Sequence, residues 1–197
     1  MDTSATTHSV PAGSGTKTAI RDAAVELFGS KGFEQTSLRE VADAVGITKA
    51  SLYYHYPSKL DLLVAIVNPI VEHMRAVAED IKTVPFSAEG VRTVLQTYIR
   101  GMLRNRDAGA LCVRDTVAIL NAMAGRYPDM FEFGRQLGDW LAGPDPSPEQ
   151  KLRASAALQV LEVALFSGEV APEADEALIE TTLLDAATCV LTACGTN

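Results

Sequence analysis

Thr36-Ser37-Leu38-Arg39-Glu40-Val41-Ala42-Asp43-Ala44-Val45-Gly46-Ile47-Thr48-Lys49-Ala50-Ser51-Leu52-Tyr53-Tyr54-His55-Tyr56 reads as two short helices and the turn between them. Ser37-x-x-Glu40 is a capping box: the serine oxygen accepts from a free amide of the first turn, and the glutamate reaches back to the serine amide. Leu38, Val41, Ala42 and Val45 then fall on one side of a helix running to about Ala44. Gly46 tolerates the positive φ that a tight turn needs. Ile47 plugs the turn, and Thr48 is an N-cap for a further helix through Tyr56, which Pro57 ends. Two helices so joined form a helix-turn-helix. With Leu52 and Tyr56 buried, 100° per residue turns Ala50, Ser51 and Tyr54 outward, flanked by Tyr53 and His55. Such a helix reads bases with its N-terminal residues, so Thr48, Lys49, Ala50, Ser51 and Tyr54 are candidates for base contact.

Upstream, Lys17 to Phe28 forms a helix with Ile20, Ala23, Ala24, Leu27 and Phe28 as one apolar stripe, broken by Gly29 and Gly32. Met1 to Thr16 is rich in Thr, Ser, Gly and Ala and is expected to be a disordered tail. Downstream, Ser58 and Asp61 cap a long fourth helix that contains Pro69, where a bend is expected. Helices are then expected at 87–106, 109–125, 128–142, 148–168 and 173–194. Ser147-Pro148-Glu149-Gln150 is a strong start signal for the fourth of these. The fold class is all-α, with a helix-turn-helix domain at 17–60 and a helical body at 61–197.

The net charge of −8 argues neither for nor against a nucleic acid, because it is unevenly spread. Lys17, Arg21, Lys31, Arg39, Lys49 and Lys59 face Asp22, Glu26, Glu34, Glu40 and Asp43, leaving residues 17–60 at +1. Residues 61–197 carry 11 basic and 19 acidic side chains. An acidic body repels DNA except where a basic edge is presented, which favours one orientation. Lys17, Arg21 and Lys31 are expected to be solvated. Cys112, Cys189 and Cys194 have neither disulfide nor zinc spacing, so they are expected to be inert packing residues in a reducing cytoplasm.

Ala24-x-x-Leu27-Phe28-x-x-x-Gly32-Phe33, the Thr36–Tyr56 stretch and Ser58-Lys59-Leu60-Asp61-Leu62-Leu63 together resemble the tetracycline-repressor (TetR) family over roughly residues 17–66. Tyr56 departs from the phenylalanine usual there. The resemblance implies that the hydroxyls of Thr36, Ser37 and Thr48, together with Tyr53, His55 and Lys59, meet phosphates. It implies that Arg39 reaches a base or phosphate, and that Lys49, Ala50, Ser51 and Tyr54 face base edges. Short donors and helix N-termini set register on the backbone while groove-facing side chains specify.

The last two helices are apolar on more than one side, which wants a partner. A symmetric homodimer through them is expected, reading a near-palindromic operator. The body between would hold a small-molecule effector, with Tyr98, Met102, Met123, Phe131, Phe133, Trp140 and Phe166 as candidate contacts; the same residue types also serve as plain core. Arg100, Arg104, Arg106 and Arg114 suit either an acidic effector or a solvated face. The sequence thus points to a DNA-binding transcriptional regulator, a repressor released by its effector. The alternative is a helical protein-interaction module without DNA binding. Nucleophilic triads, HExxH and phosphate-cradling glycine loops are lacking, so no enzyme, cofactor or metal is expected. No apolar run is long enough for a membrane helix.

Overall fold

A computed structural model of the chain describes residues 14–128 and 130–192. Its elements are α1 (Ser14–Lys31), α2 (Leu38–Val45), α3 (Lys49–His55), α4 (Lys59–Asp80), α5 (Ala88–Arg104), α6 (Arg106–Arg114), α7 (Thr116–Met123), α8 (Met130–Ala142), α9 (Pro148–Glu162), a 3-10 segment (Val163–Phe166), α10 (Ser167–Val170) and α11 (Glu176–Thr192). Among the described residues there is no strand, and the fold is all-helical. The chain divides into two compact units between Ile66 and Val67, inside α4 and later than the boundary expected at residue 60.

In the first unit, α1 packs on α2 and α2 on α3. Ile20, Ala24, Phe28, Val41, Ala42 and Leu52 are buried, each large side chain contributing roughly 1.5–3 kcal/mol by leaving water. The Phe28 and Phe33 rings meet edge to face at 5.2 Å. α1 begins at Ser14, so residues 14–16 are helical rather than part of a disordered tail; residues 1–13 lie outside the described residues. Composition suggests a tail up to Thr16, but three small residues ahead of the apolar stripe simply add the first turn of its helix.

The second unit packs α8 on α9, α9 on α11, and α11 on α5. Its core holds Val94, Leu95, Tyr98, Ile99, Ala157, Leu161 and Leu184. Arg100 grips Glu180 with both carboxylate oxygens at 3.0 Å from Nε, and Gln96 donates to the same carboxylate. Arg114 pairs with Glu169. These arginines are therefore engaged within the protein. The helix expected at 109–125 is two helices broken at Asp115, and the one expected at 148–168 tightens into the 3-10 segment after Glu162. Both capping boxes, Ser37–Glu40 and Ser147–Gln150, are formed. α4 keeps Pro69 inside it.

Candidate nucleic-acid interface

The turn between α2 and α3 is a Schellman motif. Gly46 is left-handed (φ 72°), its amide donates to the Asp43 carbonyl at 3.2 Å, and the Ile47 amide donates to Ala42 at 3.0 Å. Thr48 then caps α3, its Oγ1 accepting from the Ser51 amide at 3.1 Å. With φ and ψ fixed on both sides of the turn, α3 has one way to lie on α2. Leu52 is fully buried and Tyr56 nearly so, which leaves the opposite side of α3 in solvent. Tyr54 is 86% exposed, its ring 5.4 Å from that of His55. Lys49 and Ala50 are exposed, and Ser51 is half-buried. Lys49 Nζ stands 5.4 Å from the centre of the exposed Tyr53 ring.

Beside this face lies a cleft of about 480 Å³ whose walls include Ser37, Arg39, Lys49, Tyr53, Ser58 and Lys59. It opens at the start of α2, where the leading amides have no acceptor within their own helix and the helix dipole favours an anion. Arg39 and Asp43 are 3.9 Å apart and largely exposed, so this pair contributes little and Arg39 stays available.

Two residues carry structural roles that the sequence did not suggest. Thr36 is 1% exposed, and its hydroxyl donates to the Gly32 carbonyl at 2.9 Å and lies 3.2 Å from that of Leu27. A phosphate cannot reach it: Thr36 is a buried strut between α2 and the end of α1. Lys59 donates its ammonium to the Phe33 carbonyl at 2.8 Å and the Glu34 carbonyl at 3.1 Å, 4.5 Å above the Phe33 ring. It fastens the α1–α2 loop to the start of α4, with one further N–H to offer. Ser37 is also more committed than expected, its hydroxyl proton going to Glu40 Oε2 at 2.9 Å.

Lys31 is exposed, in keeping with a solvated charge, and its Nζ also lies 2.7 Å from Glu40 Oε1. That ion pair and the capping bonds hold the Glu40 carboxyl at about 2, well below the usual carboxylate range. Sequence separation hid the pair, because α1 and α2 meet only after the loop turns.

The residues named for an effector are dispersed through the second unit. Tyr98 and Met123 are buried, Met102 and Trp140 pack half-buried against the core, and Phe166 is half-buried in the 3-10 segment. Trp140 meets Phe86 edge to face at 5.5 Å. Phe133 lies under Arg75 at 5.6 Å, and the Phe131 side chain lies outside the described residues. Burial pushes the Tyr98 hydroxyl up and raises the half-buried Glu162 carboxyl.

Residues 20–66 match the family described as bacterial regulatory proteins, tetR family. That stretch, the whole helix-turn-helix with the start of α4, is thus of the TetR type. The HTH-type transcriptional repressor KstR2 of Rhodococcus jostii is 36% identical over 61 residues, covering 31% of this chain and 30% of that protein. The HTH-type transcriptional regulator RutR of Escherichia coli is 33% identical over 84 residues, covering 41% of this chain and 40% of that protein. The matched stretch thus spans less than half the length of these relatives. Among solved structures, the ketosteroid transcriptional regulator KstR2 of Mycobacterium tuberculosis superposes with a TM-score of 0.69 at 14% identity, over 90% of this chain and 93% of that one. The regulator PfmR from Thermus thermophilus gives 0.58 at 20% identity, over 87% and 96%. Likeness at such identity is likeness of fold. The TetR likeness in sequence therefore lies in residues 20–66, and the solved structures add a likeness of helical fold over most of the chain.

Proposed function

We propose that this chain is a DNA-binding transcriptional regulator of the TetR type that grips an operator with α3 and is released by a small-molecule effector in its second unit. One observation carries the DNA reading: α3 buries Leu52 while holding Tyr54 86% in solvent, on a scaffold fixed by a Schellman turn and a threonine cap. An aromatic side chain so exposed on a rigid helix contributes nothing to the core, and its hydroxyl and ring suit a base edge. Lys49 and Arg39 beside the cleft, with the leading amides of α2, supply the phosphate contacts that fix register.

The regulator works as a homodimer through α9 and α11. These helices pack on each other and still expose Leu152 (71%) and Leu178 (58%), more apolar surface than a monomer needs. Two-fold symmetry sets two copies of α3 about 34–36 Å apart or a multiple of that, one turn of the duplex per half-site step. Tyr98, Met102, Met123, Trp140 and Phe166 are candidate effector contacts. An effector that binds better to one arrangement of the dimer changes operator affinity, by typically 1–3 kcal/mol of coupling.

Selection of bound sequences from a random duplex pool tests the proposal. A palindromic consensus is expected, bound with an affinity that falls steeply as salt rises. Failure to enrich any sequence, with a flat response to salt, overturns it.

A further inference from the structure

Lys31 ends α1, nine positions before Glu40, and its ammonium reaches that carboxylate at 2.7 Å. The other Glu40 oxygen accepts from the Ser37 amide at 2.8 Å and from the Ser37 hydroxyl at 2.9 Å. The carboxylate is therefore pinned at the start of α2, against the residues that wall the cleft. It remains ionised at any physiological pH.

This placement poses an electrostatic problem for an anion. A helix N-terminus offers about half an elementary positive charge, whereas the capping glutamate brings a full negative one to the same place. Left alone, Glu40 would more than cancel the attraction of the α2 amides for a phosphate. Arg39 stays available beside the cleft, but Asp43 stands 3.9 Å from it and Glu34 adds a further acid to the cleft wall. Arg39, Lys49 and Lys59 also wall the cleft, but the cation that pairs with Glu40 itself comes from the preceding helix.

We propose that Lys31 is a positioning residue for DNA: its ion pair with Glu40 neutralises the capping carboxylate and lets a backbone phosphate sit at the start of α2. This rests on the DNA-binding reading given above. Lys31 acts through Glu40 and need not touch the duplex, so its contribution disappears once Glu40 has no charge.

A double-variant cycle separates this from a direct phosphate contact. Affinity for a duplex recovered from the selection is measured by fluorescence anisotropy at fixed salt, for wild type, Lys31→Met, Glu40→Gln and Lys31→Met/Glu40→Gln. Lys31→Met is expected to cost less than about twofold in the Glu40→Gln background, whereas a direct phosphate contact would cost the same in both. Glutamine still accepts from the Ser37 amide, so the capping box is kept. Lys31→Met is expected to weaken binding about threefold to tenfold, the size of a charge effect at a helix terminus. The double variant is expected to recover to within about twofold of wild type, as coupled residues do when the second change removes the cause of the first. A Lys31→Met protein that binds like wild type, or a double variant as weak as the single, overturns the proposal. Wild type that binds no duplex overturns the DNA reading and this inference with it.

Discussion

Lys59 and Phe33 are joined twice, by a 2.8 Å hydrogen bond from the ammonium to the Phe33 carbonyl and by the ammonium lying 4.5 Å above the Phe33 ring. Both contacts tie the α1–α2 loop to the first residue of α4. Lys59→Met keeps the apolar stem and removes the donor, leaving two loop carbonyls to find water. A loss of about 1–2 kcal/mol is expected in urea unfolding, the usual cost of a charge-assisted hydrogen bond near the surface. A phosphate-only role for Lys59 predicts instead unchanged stability with weaker DNA binding.

Thr36→Val tests the buried strut. The substitution keeps the shape and removes the hydroxyl that donates to the Gly32 carbonyl at the end of α1. Stability should fall by about 1–2 kcal/mol, since a buried carbonyl loses its donor. Thr36→Ser should retain most of it. Sequence preference among duplexes should not change in either variant, because the side chain is out of reach of DNA; a shift in the selected consensus would refute this placement.

Tyr54 presents the converse case. At 86% exposure its removal should leave stability within about 0.5 kcal/mol. Tyr54→Ala should narrow the gap between consensus and scrambled duplexes by about 1–3 kcal/mol if the ring or hydroxyl reads a base. A uniform loss across all sequences would make Tyr54 a backbone contact instead.

The first unit was readable in the sequence wherever its determinants are local. A capping box, a left-handed glycine and a threonine cap each act within four residues, so Ser37–Glu40, Gly46 and Thr48 announced themselves. The roles of Thr36 and Lys59 were not readable, because their acceptors come from other segments: Leu27 for one, and for the other a loop some 25 positions earlier. The pairing of Lys31 with Glu40 was not readable for the same reason. In the second unit, nothing in composition marks the break at Asp115. Thr116 donates back to the Cys112 and Val113 carbonyls there, and no glycine or proline punctuates it. A solvent-facing pattern like that of α3 is legible from periodicity, whereas an effector's contacts depend on tertiary packing that periodicity does not encode.

The His73 imidazole lies directly over Gly101, so a methyl added to Gly101 would overlap the ring. The ring has little freedom to retreat, being half-buried with Nε2 3.3 Å from the Tyr98 carbonyl. Gly101→Ala should therefore lower stability by about 1–3 kcal/mol, as overpacking does. In a His73→Ala background the same change should cost much less, because the obstacle is gone. Burial lowers the His73 pKa below its ordinary value, the Tyr98 carbonyl opposing and Arg104 assisting. The fold thus favours the neutral ring, and the sign of the pH effect follows: stability is fully present above the unfolded pKa near 6.5 and is lost as pH falls through the lower folded value. Urea unfolding at pH 8 and pH 5 should show an acid loss in wild type that His73→Ala reduces. Equal cost of Gly101→Ala in both backgrounds would show that the methyl is opposed by something other than the imidazole.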